Sequence, residues 1–205
     1  MANDIYSKGN VLINNLNITD EDTLKQAEVD FATVRIYEVL SDDRFDLSTR
    51  ELRNINNRIF GDVYPFAGQY RKINIEKYEP VLKGLSVTYA DHNLIDSKLE
   101  ELMERYRSLQ VDEYFIDNLT DIIIDIWQVH PFREGNTRTL IVFVCKYLET
   151  LQIDVDYDLL LNNIKYLRTS LVRATYEDTE IGFYKDKSYF MKIFNDAIKR
   201  NVKHK

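Results

Sequence analysis

Two strongly apolar runs, separated by a short polar stretch, constrain the fold of this chain more than any other feature. The runs are IIIDIWQV at residues 122–129 and LIVFVCKYL at residues 140–148. A helix that is apolar on most faces lies at the centre of a protein, which predicts two buried helices, over 117–129 and 137–151. Pro131 disfavours helical backbone at the preceding residue, so the first helix should end near His130. The polar stretch HPFREGNTR is therefore predicted to join two central helices.

The rest of the chain also favours helices, since its 205 residues include 3 prolines and 6 glycines. Apolar periodicity and capping residues predict further helices at 20–40, 47–60, 93–109, within 153–161, 166–174 and 189–202. Inward-facing residues are predicted for three of them. They are Leu24, Ala27, Phe31, Val34 and Leu40 in the helix at 20–40, Leu52, Ile55, Ile59 and Phe60 in the helix at 47–60, and Leu94, Leu99, Leu102 and Tyr106 in the helix at 93–109. Ser48, with Glu51 three residues later, predicts a capping box. Residues 72–89 are predicted to form two short strands joined through EKYEP, a β-hairpin.

The composition, 44% hydrophobic and 30% charged, predicts one soluble domain over residues 1–205. The net charge of −7 argues against nucleic acid as a general ligand. The single cysteine, Cys145, lies in an apolar run and is predicted to be a core residue. No apolar run approaches the ~18 residues that cross a bilayer, and no signal peptide is visible. We therefore expect no membrane association and a cytoplasmic location, in the protein's own cell or in one to which it is delivered.

The polar stretch has the chemistry of an anion site at the start of a helix. The first backbone N–H groups of a helix have no internal partner and carry partial positive charge, which suits a phosphate. Gly135 allows the backbone to approach a ligand closely, and Asn136 and Thr137 follow it. Arg138 can add a bidentate contact to phosphate oxygens. These four residues are the predicted phosphate-binding set.

Two further side chains of the stretch suggest a reaction. Glu134 would repel a bare phosphate, but it suits a Mg²⁺ ion held between the carboxylate and phosphate oxygens. His130 is a candidate proton acceptor near neutral pH. The structural alternative is that His130 caps a helix and that Glu134 and Arg138 form an i,i+4 ion pair.

HPFREGNTR resembles the signature H-x-F-x-[DE]-G-N-G-R-x-x-R of Fic-domain proteins. The matching residues are His130, Phe132, Glu134, Gly135, Asn136 and Arg138. Upstream, IFGDVYPFAGQYRKINI resembles the LFGDVYPWAGxxR-like segment of the same family. The resemblance implies an all-α, Fic-type helical bundle with a small β-hairpin, the flap, over the active site. The core would span about 16–151, followed by C-terminal helices over 152–202.

The resemblance also implies an activity, the transfer of AMP from Mg-ATP to a Ser, Thr or Tyr hydroxyl of a target protein. By this comparison His130 takes the hydroxyl proton, Glu134 holds Mg²⁺, and Arg138 stabilises the leaving diphosphate. The target would dock on the flap by strand addition, near Lys77, Leu82 and Leu85. A regulatory or antitoxin partner is a further possibility that the family allows.

The chain departs from the family pattern at two positions. Thr137 stands where the signature has its second glycine, and Ile141 replaces the second arginine, which normally steadies the γ-phosphate and pairs with an inhibitory glutamate. The inhibitory motif [ST]-x-x-x-E-[GN] is also absent from the sequence. We therefore hypothesise that glutamate-based autoinhibition is missing, and Glu28 or Glu38 lying against Arg138 would contradict this.

Two alternatives to AMP transfer remain open at this point. The fold could use another donor or transfer another group, such as UMP or phosphocholine. It could also be a catalytically idle binding module. The sequence does not name the target, the donor base or the oligomeric state.

Overall fold

The computed structural model describes residues 4–199, which fold into a bundle of α-helices. The described residues contain eight α-helices: α1 Glu21–Leu40, α2 Thr49–Phe60, α3 Ile95–Arg107, α4 Phe115–Val129, α5 Asn136–Thr150, α6 Tyr157–Asn162, α7 Ile164–Thr175 and α8 Ser188–Lys199. The predicted all-α class is confirmed, and every predicted helix has a counterpart. The predicted end of the last helix at residue 202 lies outside the described residues.

The N-terminal caps follow the sequence closely because capping is a local interaction. Asp20 caps α1 by accepting a hydrogen bond from the Thr23 N–H at 2.8 Å. Ser48 caps α2 by accepting one from the Glu51 N–H at 3.1 Å. Such caps satisfy backbone donors that the helix itself leaves unpaired.

The buried face of α1 differs in part from the predicted one. Leu24 and Leu40 are buried as expected, together with Ala32, Ile36 and Val39. Phe31 and Val34 were wrongly assigned to the core, because their side chains remain 40% and 59% exposed. Leu94 was wrongly assigned inward as well, since it precedes α3 and is 49% exposed.

The two apolar helices lie at the centre, as predicted. On α5, the residues from Thr139 to Leu148 are all buried. This helix packs against α1 and α2 on one side and against α4, α6 and α7 on the others. Buried side chains from all eight helices form one hydrophobic cluster, which holds α4 and α5 rigidly. The link between these two helices is thereby fixed at both ends.

The predicted hairpin over 72–89 is wrong as a pair of regular strands. One antiparallel bridge joins Tyr78 to Ser86, and a 3-10 turn at Pro80–Leu82 occupies the tip. Pro80 lacks the backbone N–H that a regular ladder requires. The regular strands in the described part of the chain are β1 Ser7–Lys8 and β2 Val11–Leu12, which the sequence did not predict.

Within residues 4–199, no helix is both long enough and apolar enough to cross a membrane.

Cys145 is buried, as expected, and burial raises the pKa of its thiol to about 12. His92 begins a short 3-10 turn at His92–Leu94, outside the link between α4 and α5.

Candidate active site

The link between α4 and α5 reverses the chain through two residues with left-handed backbone, His130 at φ 50° and Gly135 at φ 80°. Asn136 holds the loop closed with its side chain. Its Oδ1 accepts from the Phe132 N–H at 2.9 Å, and its Nδ2 donates to the Phe132 carbonyl at 2.8 Å. The Asn136 amide is therefore occupied by the loop, and only its backbone N–H remains for a ligand.

Arg71 supports the loop from outside the polar stretch. The residue is 2% exposed, and its guanidinium donates to the His130 carbonyl at 2.9 Å and to the Ala90 carbonyl. Its backbone N–H donates to the Pro131 carbonyl at 2.8 Å. Our site prediction omitted Arg71, although the arginine of the upstream FGDVYPFAGQYR segment was the available signal.

Asn56 ties the same link to the upstream segment. Its Nδ2 donates to the Glu134 carbonyl at 3.2 Å and to Thr139 Oγ1 at 3.0 Å, and its Oδ1 accepts from the Gly68 N–H at 2.7 Å. This residue is 1% exposed and was also missed, because nothing in the local sequence distinguishes it from the neighbouring Asn54 and Asn57.

His130 is held as a neutral imidazole. It is completely buried, and its ring stacks on Tyr89 at 4.0 Å between centroids with Trp127 at its edge. Nδ1 lies 3.2 Å from the Trp127 carbonyl. Because a carbonyl can only accept, Nδ1 carries the proton and Nε2 has the free lone pair. Nε2 has no hydrogen-bond partner among the described residues.

The electrostatics of His130 agree with this assignment. Burial, followed by the positive charges of Lys77 and Arg168, holds the pKa of His130 well below its usual range. The imidazole therefore stays unprotonated and able to accept a proton at neutral pH.

Gly135 starts α5 and cannot be replaced without strain. A Cβ atom there would lie 2.1 Å from Cε2 of the Phe60 ring, and the φ of 80° favours glycine. The first N–H groups of α5 lack intrahelical partners and lie beside a cavity of about 410 Å³, which Gly135, Asn136, Thr137 and Arg138 line. The four predicted phosphate-binding residues are thus brought together on one cavity wall.

Thr137 has a role that the glycine of the signature could not fill. Its Oγ1 accepts a hydrogen bond from Trp127 Nε1 at 3.0 Å. The hydroxyl satisfies a buried indole donor, which would otherwise cost free energy. The backbone of Thr137 remains in α5, so the substitution preserves its amide at the helix start.

Glu134 is an ionised carboxylate at the edge of the cavity. Lys77 Nζ and Arg133 Nη1 each lie 2.9 Å from its Oε1. Burial by itself would raise the pKa of Glu134, but the charges of Lys77, Arg133 and Arg138 lower it below the usual range. The alternative i,i+4 ion pair with Arg138 is not the pairing found, since Arg138 binds a different carboxylate.

That carboxylate belongs to Glu28 on α1. Arg138 Nη2 contacts Glu28 Oε1, and the Tyr64 hydroxyl donates to Glu28 Oε2 at 2.5 Å. The pair is largely buried, with the side chains of Arg138 and Glu28 only 20% and 13% exposed. The hypothesis of missing glutamate-based autoinhibition required that no glutamate lie against Arg138, and the contact with Glu28 contradicts it. The sequence did not reveal this contact because helix packing brings together two residues 110 positions apart.

Glu134 is suited to a single-carboxylate magnesium site. Within residues 4–199, no group of three or more His, Cys, Asp or Glu side chains could hold a metal by itself. Mg²⁺, however, commonly takes one or two carboxylates and completes its shell with phosphate oxygens and water. Lys77 and Arg133 both bind Glu134 through Oε1, so neither of these contacts uses its Oε2.

The flap residues lie differently from the sequence prediction. Leu82 is 1% exposed, so it anchors the flap in the core and cannot dock a target. Lys77 does not face solvent, because its ammonium binds Glu134 and its side chain is 18% exposed. Leu85, 40% exposed, is the member of the predicted docking set that remains at the surface.

Comparison with known proteins identifies a family and related sequences. The model of the Fic/DOC family matches residues 46–148. A probable protein adenylyltransferase, y4lH of Sinorhizobium fredii, is 32% identical over 68% of this chain and 71% of its own length. The protein adenylyltransferase VbhT of Bartonella schoenbuchensis is 28% identical over 86% of this chain. The aligned region spans only 36% of the length of VbhT.

Solved structures share the fold. The BepC protein of Bartonella tribocorum, solved with bound AMPPNP, superposes with a TM-score of 0.74 over 93% of this chain and 94% of its own, at 18% identity. The N-terminal Fic domain of Bep8 from Bartonella sp. 1-1C gives a TM-score of 0.75 over 97% of each chain, at 19% identity.

Proposed function

The chain belongs to the Fic/DOC family, and we propose on that basis that it transfers AMP from ATP to a hydroxyl group of a target protein. Two of its relatives are named protein adenylyltransferases or probable ones. A protein of the same fold has been solved with AMPPNP, an ATP analogue. The target hydroxyl, of Ser, Thr or Tyr, and its docking on the flap near Leu85 belong to the same proposal.

One observation carries the proposal: the start of α5 and the Arg138 guanidinium line one wall of a cavity large enough for a nucleotide. Unpaired backbone N–H groups at a helix start bind phosphate without further adaptation of the site. Because these groups are held by buried helices, they need little reorganisation when charge develops on the phosphate oxygens.

His130 is the proposed general base. Its Nε2 accepts the proton of the target hydroxyl as that oxygen bonds to the α-phosphorus of ATP. The bond between this phosphorus and the bridging oxygen breaks, and diphosphate leaves with its electron pair. A neutral imidazole suits this role at physiological pH. Because Nε2 is buried in the structure, neighbouring groups must shift before a hydroxyl reaches it.

Glu134 would hold Mg²⁺, which supplies charge neutralisation to the phosphates when bound. Arg138 would bind the leaving diphosphate, and this contact requires that Glu28 first give up the guanidinium. Lys77, already 2.9 Å from Glu134, would contribute positive charge on the flap side of the cavity.

The test uses ATP labelled at the α-phosphate or at the γ-phosphate, incubated with Mg²⁺, the protein and a cell lysate. Transfer to protein from the α-labelled sample alone, abolished by His130→Ala, is the expected result. His92→Ala is the matched control, because His92 lies outside the polar link and should transfer normally. Label from neither sample, together with normal ATP binding by calorimetry, would refute AMP transfer and favour another donor. Absence of ATP binding as well would favour an idle binding module.

A further inference from the structure

Three cations of the cavity come from neither the polar stretch at 130–138 nor the flap: Lys25 on α1, and Lys165 and Arg168 on α7. Arg168 on α7 lines the same cavity as Gly135 and Arg138. Helix α7 packs against α4 and α5, so the position of Arg168 is fixed relative to the link between those helices. Its side chain is 32% exposed, which leaves the guanidinium accessible from the cavity.

The charge of Arg168 acts on the reacting end of the site. It is one of the charges that, after burial itself, lower the pKa of His130, and it interacts electrostatically with Glu134. The contacts of the flap agree with this. Arg168 pairs with Glu79 of the flap, Tyr89 at the end of the flap stacks on His130 at 4.0 Å between centroids, and Lys77 of the flap binds Glu134. Arg168 therefore lies on the flap side of the cavity, together with the base and the candidate metal ligand.

Arg168 is paired with a carboxylate in the structure. Its Nη2 contacts Oε1 of Glu79, a flap residue only 5% exposed. The Glu79 N–H and carbonyl also build the flap turn, through bonds to Leu85 and Gly84. A carboxylate oxygen on a guanidinium occupies the position that a phosphate oxygen would take, because both groups accept from the same fork of N–H donors.

Helix α5 has no second cation one turn after Arg138, where Ile141 stands. Ile141 is fully buried in the core, so α5 presents Arg138 alone to the cavity. Lys165, one turn before Arg168 on α7, also lines the cavity but is exposed. Lys25 is exposed as well, so Arg168 is the best fixed of these three cations.

We propose that Arg168 is a catalytic residue of the transfer, binding the non-bridging oxygens of the nucleotide's first phosphate, with Glu79 as the carboxylate that this phosphate displaces. The assignment rests on the proposed function. Binding of the first phosphate by a guanidinium neutralises charge on the group under attack, which assists the approach of the target oxygen. It also couples nucleotide binding to the flap, because Glu79 is released from Arg168 as the phosphate arrives.

Two substitutions that break the same ion pair distinguish this role from a structural one. Arg168→Gln removes the phosphate ligand, whereas Glu79→Gln removes its competitor. Calorimetry with AMP, ADP and ATP should show that Arg168→Gln weakens all three by a common factor of about ten, the effect of losing one charge-assisted hydrogen bond. Glu79→Gln should tighten all three. Arg168→Lys should bind with intermediate affinity, since it keeps the charge but not the fork.

Arg173→Gln is the matched control, because Arg173 lies on the same helix, stacked over Tyr189 at 4.9 Å and outside the cavity lining. It should leave every affinity unchanged. Thermal unfolding should show that Arg168→Gln and Glu79→Gln lose similar stability, which excludes misfolding as the reason for opposite binding effects.

Three results would overturn the assignment. These are unchanged affinity in Arg168→Gln, a loss confined to ATP, which would place Arg168 at the distal phosphates, and weaker binding in Glu79→Gln, which would make the pair structural. If the unmodified protein bound none of the three nucleotides, the proposed function would fail together with the assignment. If it bound them and Arg168→Gln bound them equally well, only the assignment would fail.

Discussion

Replacing Glu28 with glutamine removes the negative charge that neutralises Arg138, while the size of the side chain at position 28 is kept. In the structure, Glu28 accepts from Arg138 and from the Tyr64 hydroxyl, and both members of the ion pair are at least four-fifths buried. Glutamine can still accept from Tyr64, but it cannot neutralise the guanidinium. The substitution should therefore change stability and nucleotide binding in opposite directions.

The stability change follows from the burial of the pair. A hydrogen bond to a charged group contributes about 1.5–3 kcal/mol, and a shielded pair retains much of this. We expect Glu28→Gln to lower the free energy of unfolding by about 1–2 kcal/mol, since a weaker neutral bond remains. For a chain of this size each kcal/mol lowers the melting temperature by about 2–4 °C.

The binding change has the opposite sign because Glu28 and phosphate compete for Arg138. Removing a competitor that costs about 1.4 kcal/mol should tighten ATP binding about ten-fold. Calorimetry would measure the affinity, and urea denaturation the stability. Glu38→Gln is the matched control on the same helix, because the Arg35–Glu38 pair is exposed and screened by solvent. ATP binding that is unchanged or weaker in a folded Glu28→Gln protein would refute the competition.

Three further predictions concern residues around the same site and core. Burial lowers the pKa of His130 in the folded protein, so below about pH 6.5 the imidazole is protonated in the unfolded chain but not in the folded one. The free energy of unfolding should therefore decrease by about 1.4 kcal/mol for each unit by which the pH is lowered below that point. Urea denaturation at pH 7.5 and 5.5 should show this loss, and a variant with glutamine in place of the imidazole should lack that component. Gly135→Ala should destabilise the protein by roughly 3 kcal/mol or more, because the new methyl group meets Phe60. Gly84→Ala, which has φ +90° but no atom within 4 Å, should cost only about 1–2 kcal/mol of backbone strain by the same assay. Cys145, whose buried thiol has its pKa raised to about 12, should react with iodoacetamide at pH 7.5 only after denaturation, and labelling of the folded protein would contradict this.

Much of the fold and of the arrangement at the start of α5 could be predicted because it depends on neighbouring residues. Pro131 ends α4, Gly135 begins α5, and Ser48 caps α2 through interactions that span a few positions. The same locality explains why Gly135 to Arg138 could be grouped from the sequence, and they do line one cavity. The face of α1 was less predictable, since Phe31 is apolar yet exposed, and only packing against other helices decides which stripe is covered.

The pairing of charges across the site was decided by the tertiary structure alone. Arg138 meets Glu28 across 110 residues of chain, and Arg168 meets Glu79 across 89. No local pattern encodes such a pair, because its energy depends on the burial and separation that helix packing creates. The sequence by itself placed a histidine, a carboxylate and a helix start within nine residues. Packing of α1, α7 and the flap determined which carboxylates pair with the cations of that site.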